Sequence, residues 1–180
     1  MTASPSTPPP RGLARFNSLD EPRAREILRE ICASASWAEH LLARRPYPDA
    51  EALYAANDAA TAALTDDGLA EAVAGHPPIG RPRPGDPVSA REQRGMAGAT
   101  EALKAEMLEL NLAYQERFGH VFLICATGRG AREMRDAARA RLGNTPERER
   151  EVVRVELGMI NRIRLARLAE EGPPEEDARR

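Results

Sequence analysis

Among its 180 residues the chain has two cysteines, three histidines and only 4% aromatic side chains. Cys32 and Cys125 stand far apart, each among apolar neighbours. That excludes a disulfide framework and any C-x-x-C redox or zinc motif, and a reduced, cytoplasmic protein is expected. So few aromatics leave no platform for stacking bases. Charge does not make up for it: 26 Lys and Arg against 28 Asp and Glu give a net −2, with no basic footprint for nucleic acid. No apolar run approaches the length of a bilayer span, so no membrane partner is expected. The spacings H-x-x-x-H and H-E-x-x-H and any Cys/His cluster are missing, so no metal site is expected. Phosphate-cradling G-x-x-x-x-G-K-[ST] and G-x-G-x-x-G loops are missing too, and Gly128-Arg129-Gly130 is too short to replace them. There is no Gly-x-Ser-x-Gly elbow, and Cys125 lies in an apolar run that disfavours a thiolate.

What is present is a helical chain, 42% hydrophobic, enough for a substantial core. The start, Met1-Thr-Ala-Ser-Pro-Ser-Thr-Pro-Pro-Pro10, has neither a basic head nor an apolar run, so a disordered tail over 1–15 is expected rather than a signal peptide. A second flexible tail, 172–180, is expected from Gly172-Pro173-Pro174. Between them, 16–171 reads as a single-domain, compact all-α bundle of about seven to eight helices. Ser18-x-x-Glu21 with Pro22 predicts a capping box and a helix from about Glu21 to Cys32. A short helix around Ser36 to Ala43 carries Trp37. Asp49 and Thr65 are candidate caps for two further helices, the second stopping at Gly75. From Ser89 one long helix is predicted to reach about Arg117, with Gly95 and Gly98 leaving room for something to approach its backbone. Phe118-Gly119-His120 ends it. The apolar run Val121-Phe-Leu-Ile-Cys-Ala126 has no helical period and no second run to pair with, so it reads as one short buried extended segment. Helices from about Ala131 to Leu142 and from Pro146 to about Glu170 complete the chain. The last is predicted to bury Val152, Val155, Leu157, Ile160, Ile163 and Leu168.

The stretch Ala74 to Gln93 breaks this pattern. Prolines at 77, 78, 82, 84 and 87 fix φ and remove donors, which makes the loop stiff. It opens on His76, whose imidazole can exchange a proton near neutral pH, and closes on Ser89-x-x-Glu92, a helix start whose N–H groups suit an anion. Two readings stand side by side. One is an acid/base site for an anionic substrate. The other is a plain capping box with His76 just past a helix end. His40 reads as a surface residue and His120 as a structural one beside the Phe-Gly break. Arg129 and Arg164 lie close to apolar segments and need a carboxylate or a bound anion as partner.

Phe16-Asn17, Cys32-x-Ser34-x-x-Trp37, Arg45-Pro46-Tyr47, Gly75-His76-Pro77, Ser89-x-x-Glu92-Gln93, the Phe118-to-Ala126 run and Arg164-Leu165 occur in an order and spacing that resemble the 2-oxo-4-hydroxy-4-carboxy-5-ureidoimidazoline (OHCU) decarboxylase family, over about Phe16 to Glu170. The resemblance implies an all-α, cofactor-independent carboxy-lyase that forms (S)-allantoin in urate degradation, and it allows a homodimer. It implies His76 as proton donor and Glu92 as its catalytic partner. Substrate would meet Pro77, Ser89, Gln93, the wall Ile124, Cys125, Ala126, Thr127 and Gly128, and Arg164. Two other readings stay open: a helical interaction module that presents the proline-rich loop to a partner, and a related decarboxylase with a changed substrate.

Overall fold

The structure is a computed structural model and describes residues 9–174. Among these there are nine α-helices, one 3₁₀ turn and no strand, as the all-α reading expects. The helices are α1 Arg11–Ser18, α2 Glu21–Ile31, α3 Ala35–Leu42, α4 Ala50–Ala62, α5 Asp66–Ala74, α6 Pro87–Glu92, α7 Glu101–Phe118, α8 Ala131–Arg141 and α9 Pro146–Glu171, with the 3₁₀ turn at Arg94–Met96. The chain divides into two compact units, one made of residues up to Gly68 and from Ile160 onward, the other of Leu69–Met159.

In the first unit α2 packs on α3 and α3 on α4. Their starts obey local chemistry. Asp49 accepts from Ala52 N–H at 2.8 Å and Thr65 Oγ1 from Gly68 N–H at 3.1 Å, so these two helices are capped where the sequence places caps, while α3 starts one residue earlier than expected, with Ser34 accepting from Trp37 N–H. The Ser18-x-x-Glu21 box is corrected: Asp20 caps α2 through Arg23 N–H at 2.9 Å, and Ser18 donates to Arg15 O inside the previous helix. The tail over 1–15 is corrected in part. Residues 1–8 lie outside the described ones, but α1 begins at Arg11 and buries Gly12, Leu13 and Phe16. Of the other tail, 175–180 lie outside the described residues, and Gly172 N–H closes α9 on Leu168 O.

Motif pieces meet here. Asn17 exchanges hydrogen bonds with the Tyr47 backbone at 2.8 and 3.0 Å, and Arg45 donates to the carbonyls of Phe16, Asn17 and Leu19 while its guanidinium stacks 4.9 Å from the Phe16 ring. Trp37, fully buried, donates to Asn57 Oδ1 at 3.1 Å.

In the second unit the predicted long helix from Ser89 is broken in two. Asp86, not Ser89, caps α6, accepting from Val88 and Ser89 N–H with Pro87 at the first position. Gly95 and Gly98 weaken helicity beyond α6, and Thr100 starts α7 afresh by accepting from Leu103 N–H at 3.2 Å. Gly119, in the left-handed region at φ 78°, ends α7. The core of this unit gathers Ile79, Met96, Met107, Tyr114, Phe122, Ile124, Ala126, Met134 and Ala138. On α9 Val155 is 62% exposed, contrary to expectation, and Val153 is buried in its stead.

Candidate functional site

The loop carrying His76 is built from two consecutive tight turns. Arg81 N–H returns to Pro78 O at 3.0 Å and Asp86 N–H to Arg83 O at 3.0 Å. The third residue of each is a glycine with positive φ, Gly80 at 85° and Gly85 at 76°, a conformation side-chain-bearing residues avoid. His76 itself is half-buried, and its backbone N–H closes the last turn of α5 on Val73 O at 3.0 Å.

Side chains then fasten this loop to its surroundings. Arg83 donates its guanidinium to Gly75 O at 3.1 Å. Ser89, 2% exposed, accepts from Arg83 N–H at 3.0 Å and donates to Asp86 O at 3.3 Å. Gln93 uses both ends of its amide: Oε1 accepts from Gly80 N–H at 2.8 Å and Nε2 donates to Pro78 O at 3.1 Å. Asn111 Nδ2, from α7, donates to Ile79 O at 2.8 Å. Asp86 is partly buried, which alone would raise its pKa. The N–H groups of Val88 and Ser89 and the Ser89 hydroxyl outweigh that and hold the carboxyl below its ordinary value.

The reciprocal Ser89/Glu92 capping box is therefore corrected. Ser89 lies within α6 and serves the loop, while the helix start belongs to Asp86.

The expected wall, Ile124 to Gly128, lies at the end of the extended segment and just beyond it. Ile124, Cys125 and Ala126 are buried; Thr127 and Gly128 are exposed, with Gly128 at φ 81°. No strand pairs with this segment, so side chains meet its backbone. Arg141 donates to Leu123 O at 2.8 Å, Glu156 accepts from Cys125 N–H at 2.8 Å, and Arg129 Nε donates to Cys125 O at 3.1 Å. Arg141 in turn binds Glu149 through Nε and Nη2 at 2.8 and 2.6 Å, and Glu149 also accepts from the Tyr114 hydroxyl and from Asn144. Both ions are buried. Arg129 finds carboxylates, Glu133 at 3.0 Å and Glu156 at 3.8 Å. The need for a partner at Arg129 is thus met within the chain.

The Cys125 thiol is pushed up from its ordinary range by burial, with the carboxylates of Glu156 and Glu92 adding to the shift. This brings Glu92, half-buried at the end of α6, into the electrostatic neighbourhood of the wall. Arg164 belongs to the other unit, where Nη1 donates to Ile31 O at 2.6 Å. His120 Nδ1 lies 3.0 Å from Val121 O and its ring packs edge-on against Tyr114. His40, read from sequence as a surface residue, is half-buried, and burial lowers its pKa.

Clefts open on the second unit. One of about 710 Å³ is lined by Thr100, Leu103, Glu106, Gly130 and Arg135, and one of about 260 Å³ by Ile79, Gly80, Arg81, Lys104 and Asn111. Among the described residues no group of three or more His, Cys, Asp or Glu side chains is placed to hold a metal ion, and no helix is long and apolar enough to cross a membrane. Sequence reasoning missed Asp86, Asn111 and Glu156. Only Asp86 carried a local signal, an Asp directly before Pro87.

Comparison with known proteins places this arrangement. The chain is 32% identical over 144 residues to the uric acid degradation bifunctional protein TTL of Arabidopsis thaliana, covering 76% of this chain and 44% of that protein. It is 28% identical over 154 residues to the uric acid degradation bifunctional protein PucL of Bacillus subtilis (strain 168), covering 84% and 31%. It thus spans less than half the length of either relative. A crystal structure of OHCU decarboxylase in the presence of (S)-allantoin superposes with a TM-score of 0.69 at 29% identity, over 80% of this chain and 96% of that one. One of (S)-allantoin synthase shares the fold, with a TM-score of 0.68 at 21% identity over 87% and 53%. The family profile for OHCU decarboxylase matches residues 17–166, through the His76 loop, α6 and the 124–128 wall, and on that extent the chain belongs to the OHCU decarboxylase family.

Proposed function

We propose that the chain decarboxylates OHCU to (S)-allantoin in urate degradation without a cofactor. The observation that carries this reading is the family match over residues 17–166.

In the proposed reaction the bond between C4 and its carboxylate breaks and CO₂ leaves. The electron pair joins C4 to C5 as the C5=N pair moves onto nitrogen, which takes a proton. The resulting enol then loses its hydroxyl proton as C5 gains one, and the face of that last protonation sets the hand of the product. An imidazolium at His76 stabilises developing negative charge and supplies a proton. Glu92 orients it. Substrate contacts from Pro77, Ser89, Gln93, Ile124 to Gly128, and Arg164 are part of the same reading. The rigidity of the His76 loop supports it, because a proton donor must keep its place through turnover. The two buried free cysteines support a reducing, cytoplasmic setting. A homodimer rests on family resemblance alone.

The test is to supply freshly generated urate oxidation product and follow circular dichroism at an allantoin band. Wild type is expected to give (S)-allantoin faster than the racemate forms unaided. His76→Asn is expected to lose on the order of 10²- to 10⁴-fold in rate while staying folded. A folded His76→Asn protein with wild-type rate and enantiomeric excess overturns the assignment of His76. Wild type that yields only racemate at the uncatalysed rate overturns the activity.

A further inference from the structure

His76 and Pro77 are succeeded at once by two peptide groups, Pro78–Ile79 and Ile79–Gly80, that two distant side chains hold. Gln93, at the end of α6, spans Pro78 O and Gly80 N–H; Asn111, on α7, takes the carbonyl between them, Ile79 O. The two groups are adjacent, and the side chains reach them from the end of α6 and from α7. We propose that Asn111 is a positioning residue: together with Gln93 it clamps Pro78 to Gly80, and so fixes where His76 and Pro77 stand relative to the reacting carbon. The proposal rests on the decarboxylase reading above.

The form of the Asn111 site argues for geometry over stability. Asn111 is 8% exposed and sits between the core residues Met107 and Tyr114 on the inward stripe of α7, at the wall of the smaller cleft. Its Nδ2 serves the loop, while its buried Oδ1 meets no partner among the protein's groups. A buried acceptor without a bond disfavours the fold, and a leucine would pack the same place without that penalty. What a leucine cannot do is donate to Ile79 O. The turn needs such a donor, since Ile79 is buried and its carbonyl points at α7.

The clamp also recasts Gln93. Both ends of its amide are engaged with the loop backbone, so its part in turnover is to hold the turn as well as to face substrate. The two residues share one function: Gln93 bonds both peptide groups, and Asn111 takes the other end of the second.

The experiment compares wild type with Asn111→Leu and with Asn111→Ala, neither of which can donate to Ile79 O. Two readouts are taken: amide hydrogen exchange at Gly80 and Arg81, which needs no substrate, and steady-state decarboxylation with the enantiomeric excess of the product. Both variants are expected to exchange these amides at least ten times faster. They should lose about 10- to 100-fold in kcat with little change in KM, as misplacement of a catalytic group by about an ångström does. Enantiomeric excess should fall with kcat, while Asn111→Leu melts close to wild type, because the Oδ1 penalty it removes offsets the Ile79 carbonyl it strands. A purely structural role would leave kcat per folded molecule and enantiomeric excess untouched, and that result in either folded variant overturns the proposal. Unchanged exchange at Gly80 and Arg81 overturns it as well. If wild type itself shows no decarboxylation, the activity reading fails, and exchange at these amides alone decides whether the clamp exists.

Discussion

The buried pair Arg141 and Glu149 allows a sharp test of how the second unit is held. Arg141 is 8% and Glu149 1% exposed. The guanidinium donates twice to Glu149 and once to Leu123 O, and stacks 4.6 Å from the Phe122 ring. Glu149→Gln keeps the size of the side chain but leaves a guanidinium buried without its counter-charge. Breaking a buried pair from one side costs about 3–5 kcal/mol. At roughly 2–4 °C per kcal/mol for a chain of this length, the melting temperature should fall by about 6–20 °C. Arg141→Met should lose a similar amount, since it strands the carboxylate and the Leu123 carbonyl. The double variant, Arg141→Met with Glu149→Gln, removes both charges. Its remaining cost comes from the Leu123 carbonyl, about 1–3 kcal/mol for a group left unpaired. The double should therefore be less damaging than the two singles summed, with a coupling of at least ~2 kcal/mol. Urea unfolding at neutral pH, followed by circular dichroism, gives all four corners of the cycle. Additive losses would show that the two side chains do not depend on each other, and the reasoning would fail.

Two glycines close together in sequence should respond in opposite ways. A Cβ at Gly95 would stand 2.0 Å from Arg129 O, so Gly95→Ala is expected to cost at least ~2 kcal/mol and to lower the proposed decarboxylation by moving residue 129 and the proposed wall before it. Gly98 has nothing within 4 Å, and Gly98→Ala should be neutral or stabilising by about 0.4–1 kcal/mol. Equal melting temperatures for the two variants would contradict this. All three tyrosines should resist ionisation in the folded protein. Burial pushes Tyr47 up to about 12 and also raises Tyr54, and burial with the Glu149 hydrogen bond raises Tyr114 further. Because these folded-state values lie above the unfolded 10.0, the stability they confer is complete below about pH 10 and drains away as pH rises beyond it. Ultraviolet titration should show phenolate appearing together with unfolding; three phenols ionising near 10 in folded protein would refute it.

Local chemistry made most of the helices legible. Asp49 and Thr65 cap where a short polar side chain precedes an apolar periodic run, and Gly119 stops α7 in the left-handed conformation that glycine tolerates. The two Ser-x-x-Glu signals misled for one reason. Each had an aspartate close to a proline nearby, Asp20 before Glu21-Pro22 and Asp86 before Pro87, and the aspartate took the cap. Helix α1 was hidden behind a proline-rich start. Its Gly12 lies so close to the end of α9 that a Cβ would stand 2.4 Å from Gly172 N, a contact across most of the chain that no window reveals. The candidate site divides the same way. His76, Glu92 and Gln93 are proposed from the order of motifs, whereas Asn111 and Glu156 act on backbone 32 and 31 residues away. An asparagine on an otherwise apolar stripe gives no sign of which carbonyl it will meet.

The unpaired segment from Val121 to Ala126 also bears on how this protein behaves when damaged. Six consecutive apolar residues, uncharged and without proline, have the composition of a cross-β template. In the native state α8 and α9 send a guanidinium and a carboxylate to its backbone, at Leu123 O and Cys125 N, which in an extended chain lie along one edge, so that this edge is occupied. Arg141 and Glu156 thus act as gatekeepers supplied from elsewhere in the chain rather than from the flanks of the run. Any change that frays α8 uncovers the edge before the rest of the unit melts. Variants at Arg141 should accordingly form thioflavin-positive aggregates at temperatures where equally destabilised variants of α2 stay in solution.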